Sequence, residues 1–100
     1  MSLHEAQEIS PDELEELLKK DAITLLDVRV VEQYQSGHIK EALNFPLANI
    51  ANYQGSKDKP IYLVCRTGNK SEQAAEILQA KGYQTFNMTG GMHQWFGEIV

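Results

Sequence analysis

Short apolar segments alternate with helical segments along the whole of this 100-residue sequence. Five segments have the length and composition of strands, at residues 7–9, 23–28, 42–45, 61–64 and 84–87. The segments at residues 23–28 and 61–64 are the most apolar, on both faces, which is typical of strands buried between two layers of helices. Because parallel strands need a crossover connection, and the connecting segments here are helical, the pattern predicts an α/β fold with a parallel sheet covered on both sides.

Two of the helical segments carry clear boundary signals. The first begins at Ser10, and Glu13 completes a capping box with it. The strongest spans residues 71–81, and Gly82 is expected to end it. We expect four of its side chains to face inward: Ala74, Ala75, Ile77 and Leu78. Two shorter helices are predicted, at residues 47–53 and in the segment after Gly90-Gly91 that carries Trp95, and residues 30–35 are expected to form a short amphipathic turn.

Composition and charge limit the class of protein. A formal net charge of -5 and 42% hydrophobic residues are typical of a globular domain and disfavour nucleic acid as a partner. We expect one domain over residues 1–100, with residues 1–5 disordered. Cys65 is the sole cysteine, so no internal disulfide can form and a reducing compartment suits the chain. Without a cationic leader or a long apolar stretch, the sequence predicts a soluble cytoplasmic protein that does not bind membranes.

Cys65 ends an apolar strand and precedes a polar loop that runs into the strongest helix. The loop and the helix start consist of Arg66, Thr67, Gly68, Asn69, Lys70 and Ser71. In a parallel sheet, ligands bind at the carboxyl ends of the strands, which is where Cys65 falls. Gly68 permits a left-handed backbone, Ser71 can cap the helix, and about five or six loop amides can converge above the sulfur as an anion-binding nest. Together with the helix N-terminus, these amides would stabilise a nucleophilic thiolate.

The alternative interpretation of Cys65 is a small core residue, because unpaired cysteines are among the most buried side chains. The polarity of the loop favours the nucleophile, since residues 66–71 cannot continue a core strand. Arg66 and Lys70 are the other candidates for function, as cations beside the sulfur that bind an anionic substrate. The alternative for these two side chains is that of solvated surface charges.

Two reactions suit a thiolate that faces an anion: attack on phosphorus, and attack on the outer sulfur of a sulfur donor. Cysteine-dependent phosphatases need an arginine six positions after the nucleophile, because its planar fork binds the equatorial phosphate oxygens. That position is Ser71 in this sequence, and Lys70 comes one residue too early. No aspartate stands at a clear general-acid position, and the same absence of arginine disfavours an arsenate reductase. The spacing therefore favours sulfur transfer.

Other polar and aromatic residues are better explained as structural support. Asp27 and Arg29 follow a strand and are expected to form an ion pair, which Glu32 can join. No second ligand stands at metal-binding distance in sequence from His38, so we expect a structural hydrogen bond there and no metal site. Trp95 is expected to pack in the core or at its rim, and its helix can border the mouth of the site.

Four motifs in this order resemble the rhodanese (sulfurtransferase) family in its single-domain form. Asp27-Val28-Arg29, with Glu32-Gln33-Tyr34 and Gly37-His38-Ile39, is similar to the first family signature, and Ala42-Leu43-Asn44-Phe45-Pro46 continues it. Residues 65–71 resemble the active-site loop, and Gly90-Gly91-Met92-His93-Gln94-Trp95 the closing signature. The departures are Glu41 where glycine is frequent, Phe45 where isoleucine is common, and Lys70 where arginine is frequent.

The resemblance implies a rhodanese-like fold, with a five-stranded, mostly parallel sheet flanked by helices on both faces. It also implies that Cys65 becomes a persulfide by taking a sulfur from a small donor anion such as thiosulfate, and passes it to a thiophilic acceptor such as a thiol. Residues 66–71 would bind the donor, and no cofactor is implied. The alternative is a sulfur-relay or regulatory module that exchanges sulfur with a partner protein and turns over few small molecules.

Overall fold

The computed structural model describes residues 7–100. Five strands follow one another along the chain as β1 Gln7–Ile9, β2 Thr24–Asp27, β3 Leu43–Asn44, β4 Ile61–Val64 and β5 Thr85–Met88. The helices are α1 Pro11–Lys20, α2 Val31–Gln35 and α3 Asn69–Ala80, with 3-10 helices at Leu47–Asn52 and Gly91–Gln94. The disorder expected for residues 1–5 lies outside the described residues. None of the helices within residues 7–100 is long and apolar enough to cross a membrane.

The sheet has the order β1-β5-β4-β2-β3, and each neighbouring pair is parallel. The predicted parallel α/β architecture is therefore confirmed. After β2 the chain adds β3 on one side, and then crosses back to place β4 on the other side of β2. Because the chain reverses direction across the sheet here, a crevice opens at the carboxyl ends of β2 and β4. A hydrogen bond of 2.9 Å from Val28 N to Val64 O continues the pairing to that end.

Apolar side chains alternate between two cores, one on each face of the sheet. Along β4, Ile61 and Leu63 point into the core beneath α3 and the first 3-10 helix. Tyr62 and Val64 point into the opposite core, which is covered by α1 and α2. Each large aliphatic side chain buried in this way contributes about 1.5–3 kcal/mol to folding. Both faces of the sheet are covered, so the predicted placement of helices on both sides is confirmed.

The predicted capping box forms at the start of α1. Ser10 is the N-cap, and its Oγ accepts a hydrogen bond of 3.1 Å from Glu13 N. The Glu13 carboxylate in turn accepts from Ser10 N at 3.1 Å. These two bonds satisfy backbone donors that the helix itself cannot pair, and a cap of this kind is worth about 1 kcal/mol.

The boundaries of α3 differ from the prediction at both ends. The helix begins at Asn69, two residues before the predicted start, because Gly68 adopts a left-handed conformation (φ +108°) and serves as N-cap. Ser71 is therefore wrong as the cap, since it lies in the first turn and is fully buried. At the other end the helix stops at Ala80, one residue before the predicted end, with Lys81 as the C-cap instead of Gly82. The left-handed Gly82 follows the cap: Gly82 N donates to Gln79 O at 3.0 Å, and Tyr83 N donates to Leu78 O at 3.1 Å.

The buried face of α3 also differs from the prediction at one position. Ile77 was expected to face inward, but its side chain is 36% exposed. The buried residues of the helix are Ser71, Ala74, Ala75 and Leu78, which recur at the spacing of one helical face. Ile77 lies outside that face, because the face is centred near Ser71, Ala75 and Leu78 and Ile77 is turned away from it around the helix.

Candidate active site

Cys65 lies at the carboxyl end of β4, on the floor of a cavity of about 220 Å³. The cavity is lined by Arg29, Gln33, Cys65, Arg66, Thr67, Asn69 and Lys70. Cys65 is only 1% exposed, so a reactant reaches its sulfur through the cavity rather than from the open surface. Two strands that are neighbours in the sheet thus contribute to one site: β4 leads to Cys65, and β2 leads to Arg29.

One backbone amide donates directly to the sulfur. Gly68 N lies 2.9 Å from Cys65 Sγ, and the left-handed conformation of Gly68 turns this N–H back toward the thiol. About five or six converging amides were expected, but within residues 7–100 the amide hydrogen bond to Sγ comes from Gly68. The N-terminus of α3 begins at the next residue, so the positive end of its dipole adjoins the sulfur.

A buried polar pair lies behind the sulfur. Cys65 Sγ lies 3.4 Å from Ser71 Oγ, and this hydroxyl also lies 3.0 Å from Gly68 O. Ser71 Oγ is further hydrogen-bonded to Asn87 Oδ1, while Asn87 Nδ2 lies 3.5 Å from Gly68 O. Asn87 is 2% exposed and belongs to β5, where it pairs in register with Leu63.

Asn87 is a residue of the site that the sequence pattern did not predict. The available signal was an amide side chain inside a predicted core strand, since a buried amide needs hydrogen-bond partners. Its partner could not be identified from sequence, because Ser71 and Asn87 are 16 residues apart. Gln33 also lines the cavity, which its place in the first motif does not indicate.

The segment after β5 fixes the backbone of the cysteine loop. Met92 N donates to Cys65 O at 2.7 Å, and His93 N donates to Arg66 O at 3.1 Å. Gly91 allows this approach: a Cβ atom there would lie 2.5 Å from Cys65 O and 2.6 Å from Arg66 O. This short helix therefore packs against the backbone of the cysteine loop, while the residues that line the cavity come from other segments, so its place at the mouth of the site stays a prediction.

Two cationic side chains stand at the rim of the cavity, as expected from the loop sequence. Arg66 and Lys70 are exposed, and both line the cavity. Arg66 Nε lies 3.4 Å from His93 Nε2, a contact that the sequence did not indicate. Thr67 and Asn69 are exposed beside them. The rim is therefore positive and polar, which suits a small anion.

The predicted ion pair between Asp27 and Arg29 is present and buried. Arg29 Nη2 lies 2.7 Å from Asp27 Oδ2, and Arg29 Nε lies 3.0 Å from both carboxylate oxygens. Arg29 Nη2 also donates to Gly37 O at 2.8 Å, which ties the loop after α2 to the site. Glu32 does not join the pair, because its side chain is exposed on the solvent side of α2.

His38 and Trp95 have structural surroundings. The His38 ring stacks on Tyr34 with 3.7 Å between ring centroids, and His38 Nδ1 lies 2.8 Å from Tyr34 O. Trp95 is half-buried against the core that α1 and α2 cover, and its Nε1 donates to Glu98 O at 3.2 Å. Within residues 7–100, no group of three or more His, Cys, Asp or Glu side chains is arranged to hold a metal ion.

Comparison with known sequences connects this geometry to a family. The family profile described as rhodanese-like domain matches residues 10–98. Thiosulfate sulfurtransferase GlpE of Pseudoalteromonas translucida is 37% identical over 83 residues, which cover 80% of this chain and 79% of that protein. Putative sulfur carrier protein YrkF of Bacillus subtilis is 32% identical over 96 residues, which cover 91% of this chain. The chain spans about half of the length of this second relative, at 51%.

Solved structures agree with the sequence comparison. A rhodanese-like domain protein from Staphylococcus aureus superposes with a TM-score of 0.85 at 34% identity, covering 92% of this chain and 93% of that one. A rhodanese-related protein from Thermoplasma volcanium gives a TM-score of 0.85 at 28% identity, covering 94% and 97%. With the profile match, the parallel sheet and the strand–cysteine–loop–helix arrangement, these likenesses show that the chain belongs to the rhodanese-like family.

Proposed function

We propose that this protein is a sulfurtransferase that carries a sulfane sulfur on Cys65. In the first step the Cys65 thiolate attacks the outer sulfur of a donor such as thiosulfate. The donor S–S bond breaks, sulfite leaves with the bonding electrons, and a Cys65 persulfide anion remains. In the second step a thiophilic acceptor, cyanide or a thiolate, attacks the outer sulfur, and the Cys65 thiolate is released unchanged. A reducing cytoplasm suits this cycle, because free thiols persist there.

The position of the sulfur carries the proposal. Cys65 lines a cavity whose rim bears Arg66 and Lys70, and its Sγ accepts a hydrogen bond of 2.9 Å from Gly68 N. A cationic rim attracts an anionic donor, and an amide hydrogen bond together with a helix N-terminus stabilises negative charge on the sulfur. In this proposal residues 66–71 form the donor site, with Thr67 and Asn69 at its polar edge.

The direct test is the formation of thiocyanate from thiosulfate and cyanide. We expect the wild-type protein to catalyse it with ping-pong kinetics, and the Cys65→Ala and Cys65→Ser variants to lose it. Because Cys65 is buried in a well-packed site, circular dichroism must first establish that both variants fold. Activity that persists without the thiol would contradict the mechanism.

The second candidate is a sulfur-relay or regulatory module that exchanges sulfur with a protein partner. The likeness to a relative named as a putative sulfur carrier favours it, as does Lys70, which lacks the planar fork of arginine for holding thiosulfate. Mass spectrometry after incubation with a polysulfide distinguishes the two. A stable mass increase of about 32 Da, one sulfur atom, without thiocyanate turnover supports the relay.

The buried position of Ser71 weighs against a phosphatase or an arsenate reductase. Those enzymes need a guanidinium at this position to bind the oxygens of the substrate, whereas Ser71 is fully buried and bonded within the protein. We expect the hydrolysis of aryl phosphates to be no faster with the wild-type protein than with Cys65→Ala.

A further inference from the structure

One hydroxyl proton at Ser71 is surrounded by three possible acceptors. Ser71 Oγ lies 3.0 Å from Gly68 O and 3.4 Å from Cys65 Sγ, and it is hydrogen-bonded to Asn87 Oδ1. A serine hydroxyl donates one hydrogen bond and accepts up to two. A thiol can donate to Ser71, whereas a thiolate can only accept. When Cys65 loses its proton, its hydrogen bond to Ser71 is therefore lost, and a bond between the two side chains can persist only if Ser71 turns its own proton toward the sulfur.

Asn87 is the member of the cluster that can hydrogen-bond to Ser71 whether Cys65 is a thiol or a thiolate. Its side chain ends in a carbonyl acceptor on one side and an NH₂ donor on the other, and a half-turn of the amide exchanges them. When the carbonyl faces Ser71, the Cys65 thiol donates a hydrogen bond to the Ser71 hydroxyl, and this hydroxyl donates to the Asn87 carbonyl. With the NH₂ toward Ser71, Asn87 donates to Ser71, and Ser71 donates to the Cys65 thiolate. Gly68 O keeps a partner in both states, because Glu72 N donates to it at 3.1 Å.

We propose that Asn87 is a positioning residue that directs the Ser71 hydroxyl toward Cys65 when the sulfur is negatively charged. The relevance of this role to catalysis rests on the proposed function, in which Cys65 reacts as a thiolate. Ser71 and Asn87 keep their own protons and change only orientation, while the thiol proton leaves through the cavity to water. The sulfur then has two donors, the amide of Gly68 and the hydroxyl of Ser71.

The charged groups around the cavity also affect Cys65, but they do not change when Asn87 and Ser71 reorient. Arg66 and Lys70 stand at the rim, and Arg29 lines the wall with its charge paired to Asp27. His93 contacts Arg66 beside the same rim. Because a substitution at Asn87 leaves all of these groups in place, its effect on Cys65 can be separated from theirs.

The test compares the pH dependence of Cys65 alkylation by iodoacetamide in a double-mutant cycle. Asn87→Asp keeps the shape of the side chain, but its carboxylate can only accept, so it holds the Ser71 proton away from the sulfur. We expect Asn87→Asp to raise the pH at which alkylation is half-maximal, both in the wild-type protein and in a Ser71→Ala variant. The increase should be about one pH unit larger in the wild-type protein, where Ser71 is present. Equal shifts in the two backgrounds would mean that the introduced carboxylate affects Cys65 only through its negative charge, and not through Ser71. That result would overturn the proposal.

The control variant is Thr85→Val, which removes a different hydrogen bond between α3 and β5. Gln79 Nε2 donates to Thr85 Oγ1 at 2.8 Å, and neither residue lines the cavity. We expect Thr85→Val to lower the melting temperature without moving the pH of half-maximal alkylation. A shift as large as that of Asn87→Asp would attribute the effect to loosened packing and contradict the assignment.

A second measurement needs no substitution at Asn87. In ¹⁵N NMR spectra of the wild-type protein, we expect the side-chain NH₂ signals of Asn87 to titrate with the same midpoint as Cys65 alkylation. In Cys65→Ala the same signals should not change with pH over this range. If the wild-type signals did not change as Cys65 loses its proton, the proposal would be refuted. Neither readout requires sulfur transfer, so a protein that shows the coupling but forms no persulfide would contradict the proposed function and leave this assignment intact.

Discussion

Single side chains set the charge at the entrance to the cysteine. Arg66 and Lys70 stand at the rim, while the charge of Arg29 is largely committed to Asp27. An exposed cation contributes little to stability, commonly under about 1 kcal/mol, so we propose that these two residues act by attracting anions. At this scale the predicted roles of Arg66 and Lys70 can be tested by comparing reagents that differ only in charge.

We predict that Lys70→Ala slows the reaction of Cys65 with iodoacetate about three- to fivefold more than its reaction with iodoacetamide. The reason is that a rim cation is worth up to about 1 kcal/mol to an anion and little to a neutral molecule. Lys59→Ala is the matched control, because it removes the same charge at the other end of β4. If Lys70→Ala slowed both reagents equally, Lys70 would be only a surface charge.

The cysteine loop depends on how the elements around it begin and end. β4 delivers Cys65, the left-handed Gly68 starts α3, and the second 3-10 helix holds the carbonyl groups of Cys65 and Arg66. With these two carbonyl groups bonded on one side, the loop backbone is held in the conformation that turns Gly68 N toward the sulfur. The reactivity that we propose for the thiol would thus depend on three element ends that meet at the loop.

We predict that Gly68→Ala lowers the rate of Cys65 alkylation more than tenfold. A Cβ atom at residue 68 has space, since the nearest atom is Gly90 N at 3.9 Å, but the left-handed conformation costs a non-glycine residue about 1–3 kcal/mol. The loop is expected to relieve this strain by turning the residue 68 amide away from the sulfur. The measurement is the alkylation rate at neutral pH, with circular dichroism to verify folding.

Gly82→Ala is the matched control for this prediction. Gly82 is also left-handed (φ +99°) and has similar space, with Lys57 Nζ at 3.6 Å, but it lies at the opposite end of α3. We expect a comparable loss of stability and an unchanged alkylation rate. If both variants lost reactivity to the same degree, general destabilisation would explain the result.

Signals within single elements predicted most of their boundaries. The apolar run at residues 61–64 matches β4, and the capping box matches the start of α1, because both depend on neighbours in sequence. The predicted start of α3 was wrong because serine is a frequent N-cap residue, which favoured Ser71. The helix begins earlier because the loop holds Gly68 in a left-handed conformation. Ile77 was misplaced for a related reason: the buried face includes a polar residue whose partner lies on β5.

At the scale of the whole molecule, the sheet order brings distant segments to one crevice. β2 and β4 are neighbours, so Arg29 and Cys65 line the same cavity. β5 lies on the other side of β4, which brings Asn87 behind the sulfur and Met92 against the loop carbonyl. Because each face of the sheet is covered by helices, this crevice at the strand ends is where a small reactant can approach the cysteine.

We predict that the fold loses stability as the pH rises above about 10. Burial raises the pKa of Tyr53 above its ordinary value of 10.0, and the neighbouring Tyr83 adds to this. Burial likewise raises the pKa of Tyr62, with the charge of Asp21 adding to it. A raised pKa means that the folded chain favours the protonated phenol, so its contribution is present below the ordinary pKa and is lost as the pH passes through the raised value.

The measurement is the melting temperature between about pH 8 and pH 11, a range that brackets the ordinary tyrosine value. The wild-type melting temperature should fall more steeply at the alkaline end than that of a Tyr53→Phe/Tyr62→Phe variant, which lacks both phenols. Parallel curves for the two proteins would show that these tyrosines do not account for the loss.

The sequence by itself determined the α/β class, the strand that carries Cys65, the loop that follows it and the positive rim. Each of these follows from local patterns: alternating strands and helices, caps and glycines, and the charges of adjacent residues. Only the tertiary structure decided that Asn87 stands behind Ser71, that Met92 and His93 hold the loop, and that Glu32 stays in solvent. The reason is physical: contacts between residues 16 or 27 positions apart depend on the order of strands in the sheet, which no local pattern contains.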